Sequence, residues 1–263
     1  DVIEEQLFER RRDLFSELSV VFMDTTTLSF AGAGGETLGA HGHSKDHRPD
    51  LKQMVLAVVL DGEGRPLCTE MLPGNTADVT VLLPIVDRLR DRFAVGRVCV
   101  VADRGMISTA TIRALEERRL EYILGARERS SAVIRETVLN DAAPFTPLLI
   151  ERARGETQLL VKEVKVDGAR DVVCRNEAEA EKDRSDRQAI VEGLEKQLRK
   201  GDKALIGNSA YRRYLRRVRN EDGSDGPAFE IDAGKLAEEA RYDGIFVLRT
   251  NARVTPLQAV LRY

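Results

Sequence analysis

Val98-Cys99-Val100-Val101-Ala102-Asp103-Arg104-Gly105 is the stretch on which the fold turns. Its continuous apolar run, closed by a charge and a glycine, reads as a strand buried on both faces. The acid that ends it stands at the strand's carboxyl end. Upstream, Val20-Val21-Phe22-Met23 is a second such run, and it too meets an acid, Asp24, followed by three threonines. Between the two, Met54 to Leu60 reads as a strand. Asp61-Gly62 and Gly64 then mark a turn into another strand around Pro66 to Met71. Gly74-Asn75-Thr76 punctuates the chain, and the main body of the next helix is expected to begin at Pro84, because proline suits a first turn and not a helix interior. A helix over 108–118 and a strand from Tyr122 to Gly125 follow. Ahead of everything, residues 3–18 form an amphipathic pattern with Ile3, Leu7, Leu14 and Leu18 on one face. The order β-β-β-α-β-α-β predicts an α/β sheet flanked by helices.

From about residue 127 the pattern changes. Leu159 to Val166 and Asp171 to Cys174 flank Asp167-Gly168, a strong hairpin signal. A charged helix is expected over 177–200, with Ile190, Val191, Leu194 and Leu198 on one side and a solvated face opposite. Tyr211 to Arg219 is a basic patch read as a surface helix with inward tyrosines, or alternatively as a DNA contact. Glu221 to Pro227 is a polar linker, and 229–240 gives a strand and a short helix. The apolar run Gly244 to Leu248 reads as a strand returning to the first sheet. The expected organisation is therefore a first core part over 1–126, a β-rich and helical insertion over 127–242, and a returning strand with the start of a final helix over 243–263.

Composition bounds the function. Hydrophobic residues make up 42% of the 263 residues, enough for a packed core. No apolar run approaches membrane-spanning length, so no membrane partner is expected and a cytoplasmic location is. Cys68, Cys99 and Cys174 form no CxxC pair, which argues against a cysteine zinc site. The formal charge of −3 speaks weakly against a nucleic-acid partner. The marked preference for Arg over Lys speaks for phosphate contacts or for codon bias alike.

Two strands thus deliver Asp24 and Asp103 at their carboxyl ends, outside which open α/β proteins place their sites. Carboxylate oxygens are hard ligands suited to Mg²⁺ or Mn²⁺. Strand-end aspartates also simply cap loops, and spacing alone leaves both readings open. The wording around them points further. Val21-Phe22-Met23-Asp24-Thr25-Thr26-Thr27, Gly42 to Gln53, Pro73-Gly74-Asn75-Thr76-Ala77-Asp78, Ala102-Asp103-Arg104-Gly105-Met106 and Tyr242 to Asn251 occur in order. Together these segments resemble insertion-sequence transposases of the DDE superfamily. The resemblance implies an RNase H-like core that binds two divalent ions, nicks transposon ends and joins the freed 3′-OH to target DNA. It implies Asp24 and Asp103 as the first two catalytic, metal-binding acids, and a homodimer acting at the nucleoid. In these proteins the third acid is a glutamate in a Tyr-x2-Arg-x3-Glu-x6-Lys helix. Tyr263 is positioned to open that signature, with the glutamate two turns on, about seven residues. The chain is thus expected to be trimmed at both ends, to hold two of three acids, and not to cleave DNA by itself.

Other cations carry two readings each. Lys45, Arg48 and Lys52, with Arg104 and Arg249, are candidate DNA contacts, since cationic side chains supply most DNA affinity, and the neutral Tyr263 is a further candidate contact. A solvated charged loop is the alternative for the first three, and Arg104 is also placed to pair with Asp103. His41, His43 and His47 have a spacing that could hold zinc, but exposed loop histidines are the commoner case. A non-catalytic DNA-binding or dimerisation module is the competing function.

Overall fold

In the computed structural model, which describes residues 2–11, 20–32, 36–93, 98–152, 155–166, 168–199, 212–218 and 228–263, the run from Val20 does not stop at Asp24. It continues as a ten-residue strand, β1 (Val20–Ser29). Met23, Thr25 and Thr27 are buried while Asp24, Thr26 and Leu28 are exposed, the period of two that a pleated strand demands. Three β-branched threonines suit that geometry, which is why the strand outlasts its apolar run. Antiparallel to it lies β2 (Gln53–Leu60), from Phe22↔Leu60 to Ser29↔Gln53, with Gln53, Val55, Ala57 and Val59 buried. The turn into β3 (Pro66–Pro73) is built on Asp61, whose Oδ1 accepts the backbone N–H groups of Glu63 and Arg65.

The chain divides into two compact units, the first comprising residues 1–141, 163–172 and 247–263. After β3 comes α2 (Asp78–Phe93), which starts before Pro84 and runs through it, contrary to the expected start. Its buried face of Val81, Leu82, Ile85, Val86, Leu89 and Phe93 outweighs the proline's cost. Pro84 and Thr80, whose carbonyl loses its donor, both face solvent. Next follow β4 (Cys99–Ala102), α3 (Thr109–Glu117, capped by Ser108) and β5 (Glu121–Gly125). Later in the chain, β11 (Ile245–Thr250) pairs antiparallel with β5, and α6 (Pro256–Arg262) closes the unit. Strand order is β3-β2-β1-β4-β5-β11, with β1, β4 and β5 parallel and β2 antiparallel to both neighbours. That order is the RNase H-like arrangement. Under it lies a core of Val21, Met23, Ala57, Val100, Leu115, Tyr122 and Leu124 against α2. The first helix, α1 (Val2–Arg11), packs Phe8 edge-on to Phe93 at 4.8 Å and leaves Ile3 and Leu7 exposed, so the packed face differs from the expected one. Leu14 and Leu18 lie outside the described residues.

The second unit comprises residues 142–162 and 173–246. Here β6 (Thr146–Arg152) runs antiparallel to β7 (Gly155–Val166), from Thr146↔Val161 to Arg152↔Gly155. Gly168, in the stretch 163–172 that belongs to the first unit, takes the left-handed φ of 79° that the turn into β8 (Ala169–Arg175) requires; Asp167 lies outside the described residues. Asn176 caps α4 (Glu177–Leu198) through the N–H groups of Ala178 and Glu179. Leu194 and buried Tyr214 form a small core with Ile190, Leu198, Phe229 and Leu236. The described part of the basic patch is a 3₁₀ turn (Arg212–Tyr214) and a strand, β9 (Leu215–Val218), paired with β10 (Ala228–Ile231), rather than a helix. Cross-strand pairing with Phe229 and Glu230 overrides the local helical pattern there. Tyr211, Arg219 and 221–227 lie outside the described residues. α5 (Ala233–Ala240) completes this unit. No described helix is long and apolar enough to cross a membrane.

Candidate active site

The parallel ladder between β1 and β4 ends at Met23↔Ala102, so Asp24 and Asp103 are the next residue on each strand. Paired residues share a face, and Met23 and Ala102 are both buried, so the following two side chains both leave the core. They line one cleft of about 350 Å³ with Met23, Val101, Ala102 and Tyr263. Asp24 is open, its side chain 80% exposed. One of its oxygens, Oδ1, accepts the N–H of Thr25 at 2.7 Å. On the opposite face of β1, the Thr25 hydroxyl donates to Asp78 Oδ1 at 2.9 Å, tying the strand to the first turn of α2.

Asp103 is held from elsewhere. The Tyr263 hydroxyl, at the end of α6, donates to Asp103 Oδ1 at 2.8 Å across 160 residues of sequence. Thr255 and Gln258 form a reciprocal capping box with Pro256 in the first turn, which fixes where that helix begins. Gly125 lets the ring in. A Cβ there would meet Tyr263 Oη at 2.3 Å and the Arg104 nitrogen at 3.1 Å. Burial, and then the bond to the Asp103 carboxylate, push the Tyr263 phenol well above its ordinary range. The turn after Asp103 is clamped as well. Arg127 donates to the carbonyls of Arg104 and Gly105 at 3.0 and 3.1 Å, while Arg104 and Arg129 both reach the buried carboxylate of Glu128 at 3.1 Å.

The remaining expected contacts divide. Lys45 folds back onto β1, 3.8 Å from Asp24, with its ammonium donating to the carbonyl and hydroxyl of Thr25. Arg48 pairs with Asp50 on the surface, and Lys52 is exposed. Arg249 instead forms a bidentate pair with fully buried Asp171 at 2.9 and 2.8 Å, and its side chain is only 19% exposed. Its fork is thereby occupied within the protein. His41, His43 and His47 are exposed. Among the described residues no group of three or more His, Cys, Asp or Glu is arranged to hold a metal ion. Two hard carboxylates with an open face suit a magnesium- or manganese-like ion better than zinc.

Asp78, Thr25, Gly125 and Glu128 received no role from sequence reasoning. Asp78 closes the Pro73-to-Asp78 segment and could have been flagged there. Glu128 carries no local signal at all.

A mixed sheet of this order, with a carboxylate at the end of the ladder between its two central parallel strands, is an RNase H-like frame. Residues 15–178, more than half of the chain, match the family described as the transposase DDE domain, and the chain belongs to that family. Among solved structures it is similar to a piggyBac transposase synaptic complex with hairpin DNA, at 15% identity and a TM-score of 0.36, covering 57% of this chain and 31% of that one. It is also similar to a Mos1 transposase paired-end complex with the left transposon end, at 22% identity and 0.29, covering 45% and 39%. The chain spans between 31% and 39% of the length of those structures. No curated protein matches its sequence.

Proposed function

We propose that the chain is the catalytic-core portion of a bacterial insertion-sequence transposase, which cuts DNA at transposon ends and transfers the strand to target DNA. The observation that carries this reading is the placement of Asp24 and Asp103 one residue beyond the same ladder pair. Neighbouring strands lie about 4.8 Å apart, so two carboxylates leaving them on one face can share a cation. When bound there, divalent ions, two in the complete site, would provide Lewis-acid activation of a water or of a DNA 3′-hydroxyl and stabilisation of the leaving oxygen. Asp24 and Asp103 would hold the ions, the Tyr263 hydroxyl orients Asp103, and the clamped turn after Asp103 fixes that strand end. Arg48, Lys52 and Arg104 supply cations for the DNA backbone. The functional protein is a homodimer working at the nucleoid, where its DNA lies.

The third acid comes from a glutamate on a continuation of α6. A helical residue seven positions past Tyr263 returns to the same face two turns on. On this reading residues 1–263 bind a divalent ion weakly and cut DNA poorly, since removing one member of a catalytic unit costs orders of magnitude in rate. A non-catalytic role as a DNA-binding or dimerising module is the second reading. Nicking of supercoiled DNA with Mg²⁺ or Mn²⁺ tests both readings. The 263-residue chain and one extended through the signature helix are compared, each with Asp24→Asn and Asp103→Asn. Cleavage by the extended chain, abolished by either substitution, is expected. Efficient Asp24-dependent cleavage by the short chain would overturn the placement of the third acid. DNA binding without cleavage by either chain would favour the module.

A further inference from the structure

Among the described residues, Lys45 brings a cation beside a carboxylate of the two-aspartate cleft. The Lys45 ammonium lies 3.8 Å from Asp24 Oδ1 and donates at 3.0 Å to the Thr25 hydroxyl, which in turn donates to Asp78. The loop that carries it is anchored independently of its side chain. Lys45 N–H donates to Thr27 Oγ1 at 3.1 Å, just before the His47 and Leu51 turns. On either side, Ala40 and Gln53 exchange backbone hydrogen bonds at 3.0 Å. The amide of Gln53, itself 1% exposed, donates to the carbonyls of His43 and Gly74 at 3.1 and 2.9 Å. Gly42 and Gly74 complete this knot: a Cβ on Gly42 would meet the Gly74 carbonyl at 2.1 Å, and one on Gly74 the Gln53 carbonyl at 1.9 Å. Only glycine permits backbones to approach so closely. Four separated segments thus converge to hold one lysine against one aspartate.

We propose that Lys45 is a positioning residue of the two-aspartate cleft, an internal counter-ion of Asp24 that competes with a divalent cation for that carboxylate. The inference rests on the metal-binding reading of Asp24. Its sign follows from charge alone. A divalent ion approaching Asp24 must either displace the ammonium or sit beside it, and both oppose binding. A unit-charge pair about 4 Å apart in largely aqueous surroundings changes an equilibrium constant by roughly fivefold. Water-like screening is appropriate here, because the Lys45 and Asp24 side chains are 38% and 80% exposed.

The test is titration of the 263-residue chain with MnCl₂, following free Mn²⁺ by electron paramagnetic resonance. Lys45→Met is expected to tighten Mn²⁺ binding by about three- to tenfold, while Lys45→Arg, which keeps the charge, stays within about twofold of the parent. Asp24→Asn should remove this binding in each background. A merely structural lysine predicts the opposite direction, since loosening the loop weakens a site. Thermal melting without metal checks that the variants fold, as the Gln53 knot predicts. Unchanged or weaker Mn²⁺ binding in Lys45→Met, with Asp24-dependence retained, overturns this inference and leaves the metal reading standing. Binding that survives Asp24→Asn overturns both. Should the parent bind too weakly to measure, Asp24-dependent binding gained by Lys45→Met supports the inference, and its absence there refutes it.

Discussion

Replacing Arg249 by Met should damage stability rather than DNA affinity. The guanidinium forks onto Asp171, with bonds of 2.9 and 2.8 Å to a carboxylate that is completely buried. Methionine fills comparable volume but leaves that charge without its partner. Removing one member of a buried pair costs about 3–5 kcal/mol. A typical domain has only about 5–15 kcal/mol in total, and each kcal/mol moves the midpoint of a protein near this size by about 2–4 °C. The expected drop in Tm is therefore roughly 6–20 °C. Urea unfolding of the parent, Arg249→Met, Asp171→Leu and the double variant closes a thermodynamic cycle. The double variant should recover most of the loss, because two apolar residues of similar volume often replace a buried ion pair at little cost. Salt-dependent DNA binding supplies the contrasting measurement, since a lost phosphate contact lowers the slope of log K against log salt by about one. A slope lowered by that amount with stability unchanged would refute this account of Arg249 and return it to the DNA interface. Single-variant losses that merely add in the double variant would refute the pairing itself.

Pro84→Ala should stabilise the protein by about 1–2 kcal/mol, read by urea unfolding. Alanine restores the donor to the Thr80 carbonyl and removes an interior helix penalty of up to about 3 kcal/mol, offset by greater freedom of the unfolded chain. A destabilised variant would mean that the ring packs usefully. Cys99 and Cys174 are buried, and burial pushes their thiols up from 9.0 to about 11 and about 12. A raised folded-state value contributes stability that is complete below the unfolded pKa and fades as pH climbs from about 9 through those values, so alkaline unfolding should steepen in that window. At pH 8 a disulfide reagent should label both thiols only after unfolding, and labelling of native protein at the unfolded rate would show that they are accessible.

Local pattern made much of the sheet legible. Continuous apolar runs at 20–23, 54–60 and 98–102 and the Asp61-Gly62 turn are short-range signals, and a strand formed at each run. Where the expectation missed, a longer-range effect had intervened. Asp24 was read as a strand end, but eight pairings with β2 carry β1 on to Ser29. Pro84 was read as a helix start, but a six-residue buried face extends the helix back to Asp78. Ile3 and Leu7 were read as packed, but Phe93 recruits Phe8 instead.

Residue chemistry and order were thus determined by the sequence alone: which strands exist, which carboxylates follow apolar runs, and the family to which the motifs point. Tertiary structure decided what each charge faces. Tyr263 reaches Asp103 across 160 residues, Thr25 reaches Asp78 across 53, and Arg249 turns from solvent to Asp171 across 78. A carboxylate's partner depends on which surfaces meet when strands align, and no local periodicity records that. The same physics puts Lys45 against Asp24. The lysine is written in a polar loop, but that loop is held beside Asp24 only once Gln53, Gly42 and Gly74 have closed around one another.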